Sequence, residues 1–228
     1  MPNSALRSPR RFTGLPAADR RQERRALLVD AAFDLLGREG WPALTVRAVL
    51  ERARLNPRYF YESFGDLDEL AVAVYDRVVG DLGVAVVHAL GSAGSEPADQ
   101  VRAVVTAIVA FVDEDRRRGR VLYAEGLANP ALQRRRAETA GLVIAFVDEA
   151  AASRRGPDRG ATGIDRVATS VLVGGFNQLL VDWLAGRVPV ARAELIDDAT
   201  ILFLALGDAA TTVAAHRHGR GGAPRRPA

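Results

Sequence analysis

The sequence predicts an all-α protein, in which an N-terminal three-helix unit carrying a helix-turn-helix precedes a larger helical bundle. Three observations lead there. Apolar residues recur at helical spacing along most of the chain, no period-2 stretch of useful strand length interrupts them, and no internal repeat appears. The separators are Gly/Ser/Pro or charged clusters: "GSAGSEP", "DEDRRRG", "ANP", "RRGPDRGATG" and "GRVP". At 228 residues, with 48% hydrophobic and 26% charged residues, the composition is that of an ordinary globular chain.

Residues 1–19 carry Pro2, Pro9, Gly14 and Pro16 with little apolar periodicity, and are expected to form a flexible, arginine-rich arm. Leu28, Ala31, Ala32, Leu35 and Leu36 then mark a first helix, stopped by Gly40 and kept from resuming by Pro42. Thr45 is placed to cap a short second helix whose Val46, Val49, Leu50 and Ala53 fall at i, i+3, i+4 and i+7. After a turn at Arg54-Leu55, Asn56 caps a third helix with Pro57 at its first position, where a missing N–H costs nothing. Asp66 opens a longer helix, with Glu69 three residues on as in a capping box.

Leu67, Leu70, Val74, Val78 and Leu82 stripe that helix. Further helices are expected at about 97–114, 118–127, 131–153, 163–185 and 191–215, before a disordered basic tail over 216–228. The organisation is therefore an arm at 1–19, a helix-turn-helix unit at 20–66, a helical body at 67–215 and the tail.

Charge is distributed unevenly. Residues 1–65 hold 12 Arg and 7 acidic residues, residues 66–215 hold 15 Arg and 21 acidic residues, and the tail has 4 Arg with no acid. Lys is absent, so every basic side chain is a guanidinium. A basic front on an acidic body fits a polyanionic partner, with a solvated arginine-rich arm as the alternative. The runs Arg116–Arg118 and Arg134–Arg136, set amid acidic residues, read as solvated helix ends.

Other chemistries find little support. Cysteine is absent, which removes disulfides and thiolate chemistry. The three histidines stand at 88, 216 and 218, and no Ser-His-Asp spacing, phosphate loop or HExxH occurs, so neither an enzyme nor a metal or cofactor site is expected. No apolar run follows the basic N-terminus as in a secretory signal. The apolar stretches at 167–184 and 200–206 are interrupted by Asn177, Gln178 and Asp182 or are short, so no membrane span and a cytoplasmic location are expected.

In a helix-turn-helix the second helix of the pair enters the DNA major groove. Phe60 and Phe64, at i and i+4, are expected to pack inward on Leu55 and Val49. Pro57, Arg58, Tyr59, Tyr61 and Glu62 then project outward. Arg can bond guanine O6 and N7, and tyrosine hydroxyls can bond phosphates. With Thr45, Arg47, Asn56 and Ser63, the residues Pro57, Arg58, Tyr59 and Tyr61 form the candidate DNA-facing set.

The stretch "LLVDAAFDLLGREGWPALTVRAVLERARLNPRYFYESFGDLDEL", Leu27 to Leu70, resembles the DNA-binding domain of TetR-family transcriptional repressors. The resemblance rests on Ala31-Ala32, Gly40, Thr45-Val46, Ala53, Tyr61 followed by Phe64, and Glu69-Leu70, and covers about a fifth of the chain. The sequence departs from the family pattern at Leu50 for a small Ala, Arg54 for the turn Gly, Arg58-Tyr59 for Gly-Thr and Leu67 for a phosphate-contacting Lys. Arg20, Arg21, Arg24 and Arg25 are available to compensate for that lost Lys.

The resemblance implies a homodimer joined through its last two long helices, a pseudo-palindromic double-stranded DNA operator, and repression relieved by a small-molecule effector. Gly174-Gly175 within the predicted 163–185 helix fits close helix approach, in the core or at such an interface. His88, Tyr123, Asn129, Asn177, Gln178, Asp182 and Trp183, polar positions within apolar helices, are the candidate effector contacts, with a cap or surface role as the alternative at each. The competing functional reading is a helical ligand-binding or interaction protein with weakened DNA binding.

Overall fold

The computed structural model describes residues 17–124, 129–155 and 163–221, and among them every regular element is helical. In chain order these are α1 (Ala17–Arg38), a 3-10 turn (Trp41–Ala43), α2 (Val46–Ala53), α3 (Pro57–Tyr61), α4 (Leu67–Gly91), α5 (Pro97–Glu114), the single turn α6 (Arg116–Gly119), a wider π-type turn (Arg120–Ala124), α7 (Pro130–Arg155), α8 (Gly163–Leu184) and α9 (Arg192–Gly221).

Local chemistry sets the early boundaries. Gly40 sits at φ 88°, a left-handed conformation that lets the chain leave α1 toward Pro42. The Thr45 hydroxyl accepts from the Ala48 N–H at 3.1 Å, and Asn56 Oδ1 accepts from the Arg58 N–H at 3.2 Å. Both predicted caps are therefore made. Asp66 Oδ1 accepts from the Glu69 N–H at 2.8 Å, while Glu69 Oε2 accepts from the Gly65 N–H at 2.7 Å. The reciprocal bond of a capping box thus lands one residue before the cap.

α4 joins the two parts of the molecule. Its Leu70, Ala71, Val74 and Val78 continue the core of Leu28, Leu36, Val49, Phe60 and Phe64 into Val105, Val109 and Val112 of α5 and Leu180 of α8. α5 packs on α4 and α9, α7 packs on α4 and α8, and α8 lies along α9. A T-shaped contact between the Phe176 and Phe203 rings, 5.2 Å between centroids, ties α8 to α9.

Several expectations change. α1 already begins at Ala17, and residues 1–16 of the expected arm lie outside the described residues. Over 118–124 the expected helix is instead the end of the α6 turn followed by the π-type turn, because Asp115 caps a new start by accepting from the Arg117 N–H at 3.1 Å; its residues 125–127 lie outside the described residues. α9 continues to Gly221 rather than ending before 216, since no proline or other helix breaker occurs between Ala214 and Arg217. Residues 222–228 of the predicted tail lie outside the described residues.

The arginine runs are only partly solvated: Arg116 and Arg134 are exposed, while Arg117, Arg118 and Arg135 are engaged. Arg117 reaches back to Asp34 of α1 (2.8 Å) and Asp115 (2.6 Å), and its guanidinium lies 4.8 Å from the Phe33 ring centroid. Arg118 stacks over Phe111 at 4.3 Å and donates to the Phe111 carbonyl at 3.0 Å. Arg135 bonds Asp76 of α4 at 2.6 Å and Glu138 at 3.1 Å. These guanidiniums fasten helices together, with their stems lying on apolar surface.

Gly163–Leu184 and Arg192–Arg217 are long and apolar enough, by length and composition, to cross a membrane. This departs from the expectation that both stretches fall short. In the fold they pack on the body through Phe176, Leu180, Leu195, Ile196 and Ala199.

Candidate nucleic-acid interface

The N-terminal unit sorts its residues by face. Val49, Phe60 and Phe64 are buried, and Leu50 closes the same core, so the larger side chain replacing a small Ala is accommodated. The Phe60 ring meets Tyr61 edge-on at 5.3 Å and Phe64 at 6.2 Å. On that base, Tyr61 remains 68% exposed and the Arg58 side chain 78% exposed. Pro57, capped by Asn56, starts the same short helix, and Ser63 sits half-buried just past its end.

Tyr59 does not simply project outward. It is half-buried beneath α1, with the Arg24 guanidinium 4.4 Å from its ring centroid. Arg25 stacks similarly over Phe64 at 4.6 Å. The upstream arginines therefore begin their work inside the unit, by cation–π stacking.

Glu62 stands between two of these cations. Its Oε1 accepts from Arg58 Nε at 2.5 Å, and its Oε2 lies 3.7 Å from Arg24 Nη2. The hydrogen bond from Arg58 holds the Glu62 carboxyl below its ordinary range, with the Arg24 and Arg21 charges adding to the effect. Glu62 is thus ionised at neutral pH. On α2, Arg47 makes a comparable i,i+4 pair with Glu51 at 2.7 Å, but both side chains there are largely exposed, 87% and 65%. Thr45 is exposed and uses its hydroxyl as the cap of α2.

Arg54 adopts φ 56° and ψ 42°, the left-handed conformation that glycine favours, and caps α2 from there. Arginine at the position of the family's turn Gly therefore carries left-handed strain, at a cost of about 1–2 kcal/mol. Leu67 packs against the core from the first turn of α4, so it is an apolar anchor where a surface cation was absent.

The candidate effector residues fare differently. Asn129 is buried, but donates to Asp68 at 2.7 Å and accepts from the Leu132 N–H at 2.8 Å, which makes it a cap joining α7 to α4. Asp182 accepts from Gln178 at 3.1 Å and from Arg187 Nε at 2.7 Å, and Trp183 Nε1 donates to the Val190 carbonyl at 3.0 Å. Those three close the turn after α8. His88 is exposed near the end of α4. Tyr123 and Asn177 are half-buried, and burial pushes the Tyr123 phenol well above its ordinary range.

Two concavities are described, both open to solvent. One lies against Arg25, Glu69, Asp76 and Arg77, the other between Ala89–Gly94 and α5. Neither is lined by any of the seven candidates.

The sequence places Glu62 on the outward face and offers Arg24 as an upstream cation, but it does not show that the two pair with each other. The i,i+4 spacing of Arg58 and Glu62 was a readable signal for one pair; nothing in the sequence placed Arg24 over Tyr59.

Residues 28–74 match the family described as bacterial regulatory proteins, tetR family. An HTH-type transcriptional regulator BetI of Burkholderia lata is 33% identical over 93 residues, covering 41% of this chain and 48% of that relative. The chain spans about half the length of the curated relatives it matches. Among solved structures, a TetR-family transcriptional regulator from Bordetella parapertussis superposes with TM-score 0.58 at 20% identity, over 79% of this chain and 93% of that one. The transcriptional regulator FadR from Bacillus subtilis, solved with stearoyl-CoA, superposes with TM-score 0.66 at 13% identity, over 78% and 96%. The match over 28–74 identifies the helix-turn-helix unit as a tetR-family DNA-binding segment, and the superpositions show that the helical body shares the fold of these regulators.

Proposed function

We propose that this protein is a sequence-specific DNA-binding transcriptional regulator that works as a homodimer on a pseudo-palindromic operator, as a repressor released by a small-molecule effector. The observation that carries the reading is the outward face of α3. Arg58 and Tyr61 are presented to solvent from a helix held by buried Phe60 and Phe64, with both flanking caps made. An exposed guanidinium and phenol on a rigid short helix suit base-edge and phosphate contacts respectively.

The homodimer reading is supported by α8 and α9. Val167, Val171, Gly174, Gly175 and Gln178 lie on one exposed face of α8, and Ile201 and Leu202 are 63% exposed on α9. A methyl built on Gly174 or Gly175 would meet nothing within 4 Å in this chain. Their smallness therefore has no use inside the protomer and suits close approach of a second copy. Exposed apolar faces of this kind mark protein interfaces.

The effector reading is supported by the helical body and by the neighbour solved with stearoyl-CoA. Of the seven sequence candidates, Tyr123 and Asn177 are the half-buried pair whose side-chain polar atoms are not accounted for by hydrogen bonds among the described residues. Effector binding relieves repression if it favours the DNA-incompetent arrangement, a coupling of typically ~1–3 kcal/mol.

A gel shift with DNA flanking the protein's own gene tests the function. A complex that survives excess random-sequence competitor is expected. A complex displaced equally by any DNA would sink the reading.

A further inference from the structure

Arg47–Glu51 and Arg58–Glu62 share the same spacing but not the same surroundings. Both Arg47 and Glu51 are mostly exposed, and no third charged group joins them in the ion pairs described. Glu62, by contrast, has a side chain only 26% exposed, and its far oxygen lies 3.7 Å from Arg24, an ion pair without a hydrogen bond. Arg24 is itself 16% exposed and seated on the Tyr59 ring. A carboxylate with a cation on each side favours one orientation, and that orientation biases the guanidinium bonded to it.

The atom used is informative. Glu62 accepts from Arg58 Nε. That leaves both terminal nitrogens of Arg58 free, and those two form the fork that bonds O6 and N7 of guanine. A carboxylate at the same place also repels phosphates on every sequence alike, which lowers affinity for DNA that offers no guanine in register.

We propose that Glu62 is a positioning and specificity-setting residue of the recognition helix: braced by Arg24 on Tyr59, it aims the Arg58 fork at a guanine and suppresses binding to non-cognate DNA. The proposal rests on the DNA-binding reading above. Glu62 touches no base in this role; it acts through Arg58.

The test uses the full-length protein and duplexes obtained by selection from a random library. Affinities are measured for the selected duplex, for duplexes with each guanine replaced in both half-sites, and for random-sequence duplex. Variants are Glu62→Gln, Glu62→Asp, Arg58→Ala, the double Arg58→Ala/Glu62→Gln, and Glu51→Gln as a control removing the same charge. Thermal melts confirm that each is folded.

The wild type should discriminate at one guanine position by about tenfold or more, and Arg58→Ala should abolish that. Glu62→Gln should lose most of the discrimination at the same position, while random-sequence affinity rises about threefold. Glu62→Asp should regain part of it. In the Arg58→Ala background, Glu62→Gln should change discrimination no further. Glu51→Gln should raise all affinities by a common factor. Overturning results are a Glu62→Gln variant that behaves like Glu51→Gln, or a loss that spreads to positions Arg58→Ala leaves alone. A wild type that selects no sequence would overturn the DNA-binding reading and this proposal together, a result distinct from a specific wild type with indifferent Glu62 variants.

Discussion

The helix-turn-helix unit and the far helices of the body dispose of their apolar side chains in opposite ways. In the first, Leu28, Leu36, Val49, Phe60 and Phe64 are buried within one chain, and the large hydrophobics left in the open are Leu27 and Tyr61. In the second, Leu142 and Phe146 of α7, Val167 and Val171 of α8, and Ile201 and Leu202 of α9 face outward at more than half exposure. One region buries its core within a single chain and turns a polar face outward. The other leaves apolar faces in the open, which the proposed second copy would cover. On the proposed function, the difference teaches that recognition and assembly are separate in this molecule: a DNA-reading unit needs internal rigidity, whereas a dimerising body needs a second surface.

The comparison can be broken at either end. Phe60→Ala should have the largest effect, a loss of about 3–5 kcal/mol read by chemical denaturation, because the cavity lies where α1, α2 and α3 meet. A loss under about 1 kcal/mol would mean that the unit is not self-contained. Ile201→Glu with Leu202→Glu should come next. It should dissociate the dimer by about 2 kcal/mol or more in sedimentation, by placing charge in the interface, and leave the helix-turn-helix folded. Unchanged mass at micromolar concentration would remove these two residues from the contact.

The seam between the two regions gives a smaller effect. Asp34 of α1 accepts from Arg38 at 2.5 Å and from Arg117 of α6 at 2.8 Å, and also pairs with Arg52 of α2. A methyl on Gly37 would fall 2.4 Å from Arg117 Cβ, so the two helices are already in contact. Asp34→Asn should cost about 1.5 kcal/mol, since it leaves those guanidiniums without their shared counter-charge. A neutral melt would show the network to be a solvated surface feature. The smallest effect, and of opposite sign, belongs to Arg54→Gly. Relief of the left-handed strain should raise stability by about 0.5–1 kcal/mol, and a lower melting temperature would contradict it.

What the sequence disclosed follows the same division. Caps and i,i+4 spacing are local, so Thr45, Asn56, Asp66, the inward pair Phe60/Phe64 and the strained Arg54 could all be read from a few neighbouring residues. The bundle helices from 97 onward were legible as periodic segments for the same reason. Contacts between residues far apart in sequence were not. Arg117 meets Asp34 across 83 positions, so an arginine run that reads as solvated contains a fastener. Arg24 over Tyr59 is another such pair. At Asn129 and Asp182 the local partners are those of the cap or surface role left open beside ligand contact, since a cap and a ligand contact look alike in sequence. The break at α6 depended on Asp115 capping a new turn, a choice that helical periodicity does not register.

The most direct test of the account is the symmetry and stoichiometry of the selected complex. Duplexes enriched from a random library are sequenced, and the complex on the best one is weighed in solution. The account predicts a two-fold pseudo-palindromic site whose half-sites are separated by about one helical turn or a multiple of it, with protomers bound in pairs. The Ile201→Glu/Leu202→Glu variant should lose that complex while remaining folded. An asymmetric site holding a single protomer, or no enriched sequence at all, would contradict it.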